Sequence, residues 1–558
     1  MKDLIVFLAF TLCLCLATTT SDISTDDSNT DQKWVTIKGT PVGSYGGRTV
    51  SNIGDFNGDG IDDMLVNAAN YLNGEVAYVI YGQKNGYSQD TITVSSTYSE
   101  GFAIYGPFVG STFTNFGYGV SKAIDLNDDG LYDIVLGAHS YSNSRGMVYV
   151  IYGKKDHTGD ITINQDYTFS SADGFVIFGP QDGSTFGYSI SSARDFNGDG
   201  VDDLLIGAPG FGSPQGGAFV IYGKKEKFTD NIPLETTPAD LTIYSPAGTN
   251  CKLGTVVDGV GDINGDGIDD ILLGAPNCYK VYGLYGKKNR VETSLAVDSS
   301  LDTSKGFTIS SLSSTGQYGA ILSSAGDING DGLQDIIIGS YVSSSSRGAY
   351  VFYGREEDWS SFEIDSGYAS NQGFKIKDSR SAIASIGVAV SGGDINGDGI
   401  DDILVRARDR TVTSSVKGLI AVIYGSKAKF TSDFDIGTDL TDYKGFLISG
   451  LDLNSQQYTN TLAAGDLNGD NMNDIFIGCP EGDYYSGKAY IVFGFSKKEG
   501  DGVFEFMFNI DVCPDHCATC ESSKCLTCFE GYGLSDDACI ECSAGTYLSG
   551  EGVCEGNH

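Results

Sequence analysis

A short acidic segment that recurs seven times is the feature that most constrains this 558-residue chain. The copies read DFNGDGIDD, DLNDDGLYD, DFNGDGVDD, DINGDGIDD, DINGDGLQD, DINGDGIDD and DLNGDNMND, and they begin at Asp55, Asp125, Asp195, Asp262, Asp327, Asp394 and Asp466. The spacing between them runs from 65 residues (Asp262 to Asp327) to 72 residues (Asp394 to Asp466). Self-similarity at a fixed period indicates a repeat architecture, in which one supersecondary unit is used many times.

The same succession of strand-like segments surrounds every copy. A short segment such as FGYGV at Phe116 precedes the acidic segment, and an apolar run such as DLLIGAP at Asp203 follows it. A third segment rich in aromatic and β-branched residues then ends in glycine, and a fourth carries a signal such as GFAI or GFVI. Four short strands per repeat are typical of a propeller blade. The sequence therefore predicts an all-β fold built on a seven-bladed β-propeller.

The two ends of the repeat region predict how the ring closes. The fourth-strand signal also occurs before the first repeat, as WVTIKG in residues 34–39, whereas the last repeat has no clear fourth strand of its own. We therefore expect residues 34–39 to supply the outermost strand of the last blade, because closure removes an exposed sheet edge. The competing candidate for that place is VFEFMFNI, which starts at Val503.

Each acidic segment has the oxygen donors of a calcium loop. Side-chain oxygens fall at positions 1, 3, 5 and 9, and the backbone carbonyl of position 7 supplies a fifth, which makes a set of hard ligands for a hard cation. Carboxylates at positions 1, 5 and 9 repel one another unless a cation is present, which disfavours the alternative of simple acidic turns. We therefore predict up to seven bound calcium ions. The predicted ligands are Asp55, Asn57, Asp59, Ile61 and Asp63; Asp125, Asn127, Asp129, Leu131 and Asp133; Asp195, Asn197, Asp199, Val201 and Asp203; Asp262, Asn264, Asp266, Ile268 and Asp270; Asp327, Asn329, Asp331, Leu333 and Asp335; Asp394, Asn396, Asp398, Ile400 and Asp402; and Asp466, Asn468, Asp470, Met472 and Asp474.

Two other interpretations of the loop fit less well. An EF-hand needs a bidentate glutamate at position 12 and a following helix, but position 12 is apolar in all seven copies. Magnesium prefers a stricter octahedral geometry and keeps its waters. Asn471 replaces the glycine of position 6 in the last copy, so we expect somewhat weaker binding there.

Composition narrows the class of protein. The chain has 73 Asp and Glu against 35 Lys and Arg, a balance that repels phosphates and argues against nucleic-acid binding. Its 32 Tyr and 29 Phe allow a large core, which argues against disorder. Lys2, an apolar run over residues 4–16 and Ala17 predict a signal peptide in residues 1–17 and a secreted or cell-surface protein with no membrane span. We expect a linker at 18–33, the propeller at 34–510 and a separate module at 511–558.

Cysteine positions predict one disulfide in the propeller and several in the tail. Cys251 precedes the first strand of the fourth repeat and Cys278 follows its second strand, so both lie on one face and can pair in an oxidising compartment. Two unpaired thiols are the alternative. Cys479 replaces the alanine of GAP and is expected to be a small buried hydrophobic residue. Eight cysteines crowd after position 512, and export favours disulfides over zinc for them.

These segments resemble the FG-GAP repeats of integrin α-chain heads, with FG at Phe116 and Phe186 and GAP at Gly207 and Gly274. The resemblance implies a seven-bladed propeller with calcium on the lower face and ligand contacts on the upper face, used in extracellular adhesion. It does not extend to leg domains, so pairing with a β-chain is not implied. A secreted phospholipase family carries similar repeats, but the four scattered histidines here give no zinc-ligand spacing. The tail resembles furin-like or growth-factor-receptor cysteine-rich repeats.

The sequence thus predicts a calcium-binding protein that mediates adhesion or binds an extracellular protein or glycan. No combination of nucleophile, base and orienting group is recognisable, so we expect no enzymatic activity. The alternatives are a calcium-dependent, lectin-like carbohydrate-binding protein and a polysaccharide-acting hydrolase or lyase. The predicted contact residues are aromatic, follow the second strands and lie on the upper face: Tyr71, Tyr141, Phe211, Tyr341, Tyr484 and Tyr485.

Overall fold

The structure is a computed structural model. It describes residues 34–39, 46–70, 74–94, 99–107, 113–155, 157–163, 170–213, 215–246, 248–298, 300–311, 318–340, 348–379, 385–408, 418–441, 443–451, 461–480 and 487–496, and short strands between 505 and 556. The predicted signal peptide and linker lie outside the described residues.

The described strands of the repeat region form seven five-stranded sheets, which are the seven predicted blades. The strands of each blade are given from the inside outwards. Blade 1 contains Gly46–Gly54, Asp63–Asn70, Gly74–Ile80, Gly101–Tyr105 and Ile161–Thr162. Blade 2 contains Phe116–Val120, Ile134–Ala138, Met147–Ile151, Gly174–Phe178 and Ile232–Pro233. Blade 3 contains Ser189–Arg194, Asp203–Ala208, Gly217–Ile221, Leu241–Tyr244 and Ser294–Ala296. Blade 4 contains Val257–Gly261, Asp270–Ala275, Lys280–Leu284, Gly306–Ser310 and Phe362–Glu363. Blade 5 contains Ile321–Gly326, Asp335–Ser340, Gly348–Phe352, Gly373–Lys377 and Phe434–Asp435. Blade 6 contains Ser385–Gly393, Asp402–Arg408, Gly418–Ile423, Gly445–Leu451 and Glu505–Met507. Blade 7 contains Leu462–Gly465, Asp474–Cys479, Lys488–Val492, Trp34–Gly39 and Thr91–Val94.

Blade 7 closes the ring as predicted. Trp34–Gly39 pairs antiparallel with Lys488–Val492, and Ile37 lies opposite Ala489. The prediction of closure by residues 34–39 is therefore confirmed. The competing candidate is wrong, because Glu505–Met507 pairs in parallel with Gly445–Leu451 at the outer edge of blade 6.

The expectation of four strands per blade is incomplete. The first four strands of each blade are antiparallel, but a fifth strand pairs in parallel with the fourth. For blades 1 to 5, this fifth strand comes from the connection between the third and fourth strands of the next blade, as Phe362–Glu363 does for blade 4. Each connection thus joins one blade to its neighbour.

Glycines at the FG and GAP positions let neighbouring blades meet backbone to backbone. A Cβ on Gly137 would lie 2.1 Å from the carbonyl oxygen of Gly187, which itself has φ +81°. Blade 1 carries Asn67 instead, and its Nδ2 donates a hydrogen bond of 2.7 Å to the carbonyl of the corresponding glycine in blade 2. Blade 6 carries the buried Arg406, whose Nη1 donates to Thr461 Oγ1 of blade 7. In blades 1 and 6, where another residue stands at this glycine position, a side-chain hydrogen bond to the next blade takes the place of the close backbone contact.

The hydrophobic core consists of clusters between facing sheets. Between blades 4 and 5, for example, Phe307, Tyr318, Phe352 and Trp359 are at most 1% exposed. Short helical turns occur at Tyr141–Ser144, Pro276–Cys278 and Ile364–Ser366. In the described part of the chain, no helix is long and apolar enough to cross a lipid bilayer.

The tail forms three small two-stranded sheets. Their strands are Cys517–Glu521 with Lys524–Cys528, Tyr532–Ser535 with Ala538–Glu541, and Thr546–Leu548 with Cys554–Gly556. The side chains of the tail cysteines lie outside what the structure describes, so their pairing stays a prediction.

The seven innermost strands surround a narrow central channel with a cavity of about 70 Å³. Lys122 of blade 2 reaches across it, and its Nζ lies 2.6 Å from Asp258 Oδ2 of blade 4 and 3.0 Å from Ser323 Oγ of blade 5. Asp258 also accepts hydrogen bonds from Ser191 Oγ and the Ser324 backbone N–H. A charged, hydrogen-bonded contact between blades therefore crosses the channel.

Candidate metal loops and binding face

The seven acidic loops join the first strand of each blade to the second, on what we call the lower face. The position-1 carboxylate organises each loop by accepting backbone hydrogen bonds. In blade 1, Asp55 accepts from the N–H groups of Gly58 at 2.6 Å, Asp59 at 3.0 Å and Gly60 at 2.8 Å. The position-5 carboxylate of Asp59 in turn accepts from Ile61 at 3.0 Å. Glycine at position 6 has positive φ, +89° at Gly60, which a residue without a Cβ adopts readily.

The position-9 carboxylate is buried beneath the loop. Asp63 is fully buried and accepts hydrogen bonds from the N–H groups of Phe56 and Gly82, the glycine that ends the third strand segment. Burial, together with the nearby charges of Asp59 and Asp55, raises the pKa of Asp63 to about 8. Four equivalent groups also have pKa values raised to about 8 by burial: Asp133, Asp203, Asp270 and Asp335. Holding a negative charge at position 9 is therefore costly without a positive partner.

The donor set of each loop fits calcium. Three carboxylates, one amide side chain and one backbone carbonyl are hard oxygen donors, and calcium accepts flexible geometry from such ligands. Within the described residues, no three His, Cys, Asp or Glu side chains are already arranged around a common point. The carboxylates are instead turned to backbone N–H groups, as described for Asp55 and Asp63. Ligation therefore requires the side chains of the loop to adjust.

The loops also contact one another around the ring. Where position 8 is aspartate, its side chain accepts a hydrogen bond from the position-1 N–H of the preceding loop, as Asp202 does from Asp125 at 3.0 Å. Asp62 and Asp466 repeat the contact between blades 1 and 7. A backbone bond runs the other way, from the N–H of Asp62 to the carbonyl of Asp466. Contacts of this kind connect neighbouring loops across the lower face.

The ligands predicted from the sequence come only from within each loop and omit the side chains that the next blade places beside it. These residues lie four positions after the glycine that ends the third strand segment, and those that contact a loop carboxylate or amide are Lys227, Asp358 and Lys429. Their constant offset from this glycine is visible in the sequence once the repeats are aligned.

Aromatic and basic side chains meet on the upper face, where the first strands begin. Tyr118 and Tyr188 stand at equivalent places in blades 2 and 3, with ring centroids 4.8 Å apart and their hydroxyls 3.1 Å apart. His139 packs against both rings at about 5 Å, and the Arg48 guanidinium lies 4.8 Å from the Tyr118 centroid. Burial, together with the nearby charge of Arg48, lowers the pKa of His139 to about 4. We call Arg48, Tyr118, His139 and Tyr188 the upper cluster.

The aromatic residues predicted as ligand contacts are placed differently. Phe211 packs edge-on against Phe219 at 5.1 Å, and Tyr141 packs against the core between blades 1 and 2. Both therefore cap the core as well as facing the upper loops. The other four, Tyr71, Tyr341, Tyr484 and Tyr485, lie outside the residues whose side chains the structure describes.

Cys251 and Cys278 are joined by a disulfide, with their Cα atoms 4.7 Å apart, as expected from the sequence. Cys479 is a free, buried cysteine, also as expected.

Comparison with known proteins agrees with this architecture. The FG-GAP repeat model matches residues 116–151, 186–222, 318–352, 386–422 and 458–492, which contain the first three strands of blades 2, 3, 5 and 7 and all but the end residues of those of blade 6. Among curated proteins, the chain is 31% identical over 242 residues to integrin alpha pat-2 of Caenorhabditis briggsae, covering 40% of this chain and 18% of the relative. It is 29% identical to integrin alpha-5 of Xenopus laevis, covering 42% of this chain and 20% of the relative.

A second group of relatives consists of phospholipases. The chain is 29% identical over 278 residues to phosphatidylinositol-glycan-specific phospholipase D of Dictyostelium discoideum, covering 46% of this chain and 27% of the relative. Among solved structures, rhamnogalacturonan lyase YesW matches with 12% identity and a TM-score of 0.38, over 82% of this chain and 73% of the lyase. The matched regions thus span about a quarter or less of these curated relatives.

Proposed function

Given an integrin-like, seven-bladed propeller that carries FG-GAP repeats, we propose that this chain is an extracellular calcium-binding protein that binds a protein ligand through its upper face. Its activity is binding rather than catalysis, because the repeated carboxylates serve to organise the lower loops. Calcium stabilises the lower face by partnering the buried position-9 carboxylates.

The upper cluster is the observation that supports placing the ligand-binding site on the upper face. Tyrosine and arginine are enriched at the energetic centres of protein interfaces, since they offer large rigid rings and bidentate hydrogen bonds. Tyr118 and Tyr188 are partly exposed. The lower face, by contrast, is occupied by loops that bond to one another. The upper face is therefore the surface on which a partner finds aromatic and cationic groups together.

The test measures ligand binding and stability separately. We expect a Tyr118→Ala/Tyr188→Ala variant to lose most binding of the labelled protein to cells that bind the wild type. Tyr443→Ala is the matched control, because Tyr443 is 74% exposed elsewhere on blade 6. A chelator should lower the melting temperature of all three proteins. Equal cell binding by the double variant and the control would refute the upper-face assignment, and an unchanged melting temperature with chelator would refute structural calcium.

A groove on the rim of blade 5 favours carbohydrate binding as the second candidate. Its volume is about 430 Å³, within the size range of small-ligand sites, and it is lined by Tyr350, Tyr368, Asp365, Lys375 and Asp433. Aromatic rings with carboxylates suit a sugar, since the rings pack on its C–H faces and the carboxylates accept its hydroxyl protons. Glycan-array binding that is lost in Tyr368→Ala but kept in the upper-cluster variant would establish this candidate.

A further inference from the structure

The seven loops are not equivalent, because the neighbouring blade places different charges beside them. Lys227 Nζ lies 3.5 Å from Asp129 Oδ2, at position 5 of the blade 2 loop. Lys429 Nζ lies 3.0 Å from Asp331 Oδ2, at position 5 of the blade 5 loop. At the blade 4 loop the corresponding residue is Asp358, an acid. Two loops therefore have a lysine paired with their position-5 carboxylate, and the blade 4 loop has an acid at the same place.

A tyrosine fixes these side chains in place at blades 4 and 5. The tyrosine that precedes the closing glycine of one blade binds the backbone of the next blade, one residue after the charged position. Tyr353 Oη accepts from the N–H of Phe430 at 2.8 Å, directly after Lys429. Tyr285 Oη accepts from the N–H of Trp359, directly after Asp358. Because the backbone is held at this point, the charge beside the loop is a built feature and not a chance surface contact.

The interior of the blade 4 loop differs accordingly. In blades 1, 2, 3, 5 and 6 the position-3 amide donates to the position-9 carboxylate, as Asn197 does to Asp203 at 3.0 Å. In blade 4, Asn264 Nδ2 instead lies 3.2 Å from Asp266 Oδ2 and 3.3 Å from Asp358 Oδ1. One donor group thus stands between two carboxylates, one from each blade. This is the point in the loop to which a positive charge is most strongly drawn.

Resting on the proposed calcium function, we propose that Asp358 is an additional acidic partner for a divalent cation in the blade 4 loop, which makes this loop the tightest calcium site of the described propeller. Calcium affinity rises with the number of charged oxygen ligands. In the blade 2 and blade 5 loops, calcium must first displace the ammonium of Lys227 or Lys429, so these loops fill at higher calcium concentration.

The buried Trp359 provides a readout specific to this loop. Its Nε1 donates a hydrogen bond of 3.3 Å to the carbonyl of Ile263, at position 2 of the blade 4 loop. The chain has only 2 Trp, so a Trp34→Phe background leaves Trp359 as the one tryptophan donor. In that background, Tb³⁺ luminescence excited through tryptophan reports occupancy of the blade 4 loop, and added calcium displaces the Tb³⁺.

We expect Asp358→Asn to weaken calcium competition at this site by about tenfold, the loss of one unit charge close to a divalent cation. Glu357→Gln is the matched control, since it removes the same charge one residue earlier, and its effect should be less than about threefold. Asp358 and Glu357 are both exposed, so both variants should melt as the wild type does. Equal affinities for the two variants would overturn the role of Asp358.

A second arm tests the lysines by counting bound calcium with calorimetry. Lys429→Met keeps the aliphatic stem but removes the charge. At a calcium concentration that leaves the weakest wild-type loops empty, the variant should bind one more calcium ion than the wild type does. An unchanged titration would overturn the competition by lysine. If the wild type binds no calcium at all, the proposed calcium function fails. If calcium binds but the variants behave alike, only the inequality of the loops fails.

Discussion

The contact across the central channel leads to a prediction about which of its two charges matters more. Asp258 is 4% exposed and holds four hydrogen bonds, whereas Lys122 is 46% exposed. The perturbations are Lys122→Met, which keeps the length of the side chain, and Asp258→Ala, which removes the acceptor. The expected result is an asymmetry, in which loss of the carboxylate destabilises the ring more than loss of the ammonium.

The magnitudes follow from what each change leaves unpaired. Lys122→Met removes one charged hydrogen bond of about 1.5–3 kcal/mol, but exposure of the lysine reduces this to about 1 kcal/mol. Asp258 keeps Ser191, Ser323 and the Ser324 N–H as partners. Asp258→Ala leaves these three buried donors without an acceptor. The fixed backbone N–H then costs about 1–3 kcal/mol of the free energy of unfolding, and each hydroxyl costs less because it can rotate towards another acceptor. The total loss is about 2–4 kcal/mol.

Urea denaturation of both single variants and the double variant provides the measurement. Because the lysine has lost its partner in Asp258→Ala, adding Lys122→Met should cost almost nothing more, which gives a coupling energy of about 1 kcal/mol. The denaturant slope should be unchanged, since no variant alters the surface exposed on unfolding. A Lys122→Met cost equal to that of Asp258→Ala, or additive effects within about 0.3 kcal/mol, would refute the reasoning.

Two further predictions concern the upper face. Replacing both Cys251 and Cys278 by serine opens a loop with a sequence separation of 27 and should lower the free energy of unfolding by about 3.5 kcal/mol on the chain-entropy model; an unchanged urea midpoint would contradict it. His139 has a pKa below its unfolded value, so its neutral form favours the fold above pH ~6.5, and stability is lost as pH falls towards about 4. The melting temperature should therefore fall more between pH 7 and pH 5 in the wild type than in His139→Gln, and parallel profiles for the two proteins would speak against this.

The blade count and the ring closure could be predicted because both depend on repeated local patterns. The seven acidic loops set the period, and Trp34–Gly39 carries the fourth-strand signal where no first strand precedes it. The fifth strands could not be predicted in this way. Ile161–Thr162 and Phe434–Asp435 are two residues long, too short to show periodicity, and they exist only because a neighbouring blade offers an edge.

The candidate site shows the same division between local and distant signals. The loop ligands follow from spacing within nine residues, so the sequence predicts them directly. The contact between Asn264 and Asp358 joins residues 94 positions apart, and no pattern within one repeat indicates it. A comparison of the aligned repeats points to this contact, because Asp358 occupies in one repeat the position that Lys227 and Lys429 occupy in two others. Likewise, the upper cluster depends on three blades meeting, which spacing alone does not reveal.

Ring closure by the first strand also imposes an order of events during synthesis. Trp34–Gly39 leaves the ribosome early, but its antiparallel partner Lys488–Val492 follows roughly 450 residues later. At translation rates of about 5–20 residues per second, the strand waits roughly 20–90 s for that partner. Until then blade 7 does not exist and the nascent chain presents an open edge that can capture another chain. The last blade to be completed thus governs how long the growing protein needs protection from its neighbours.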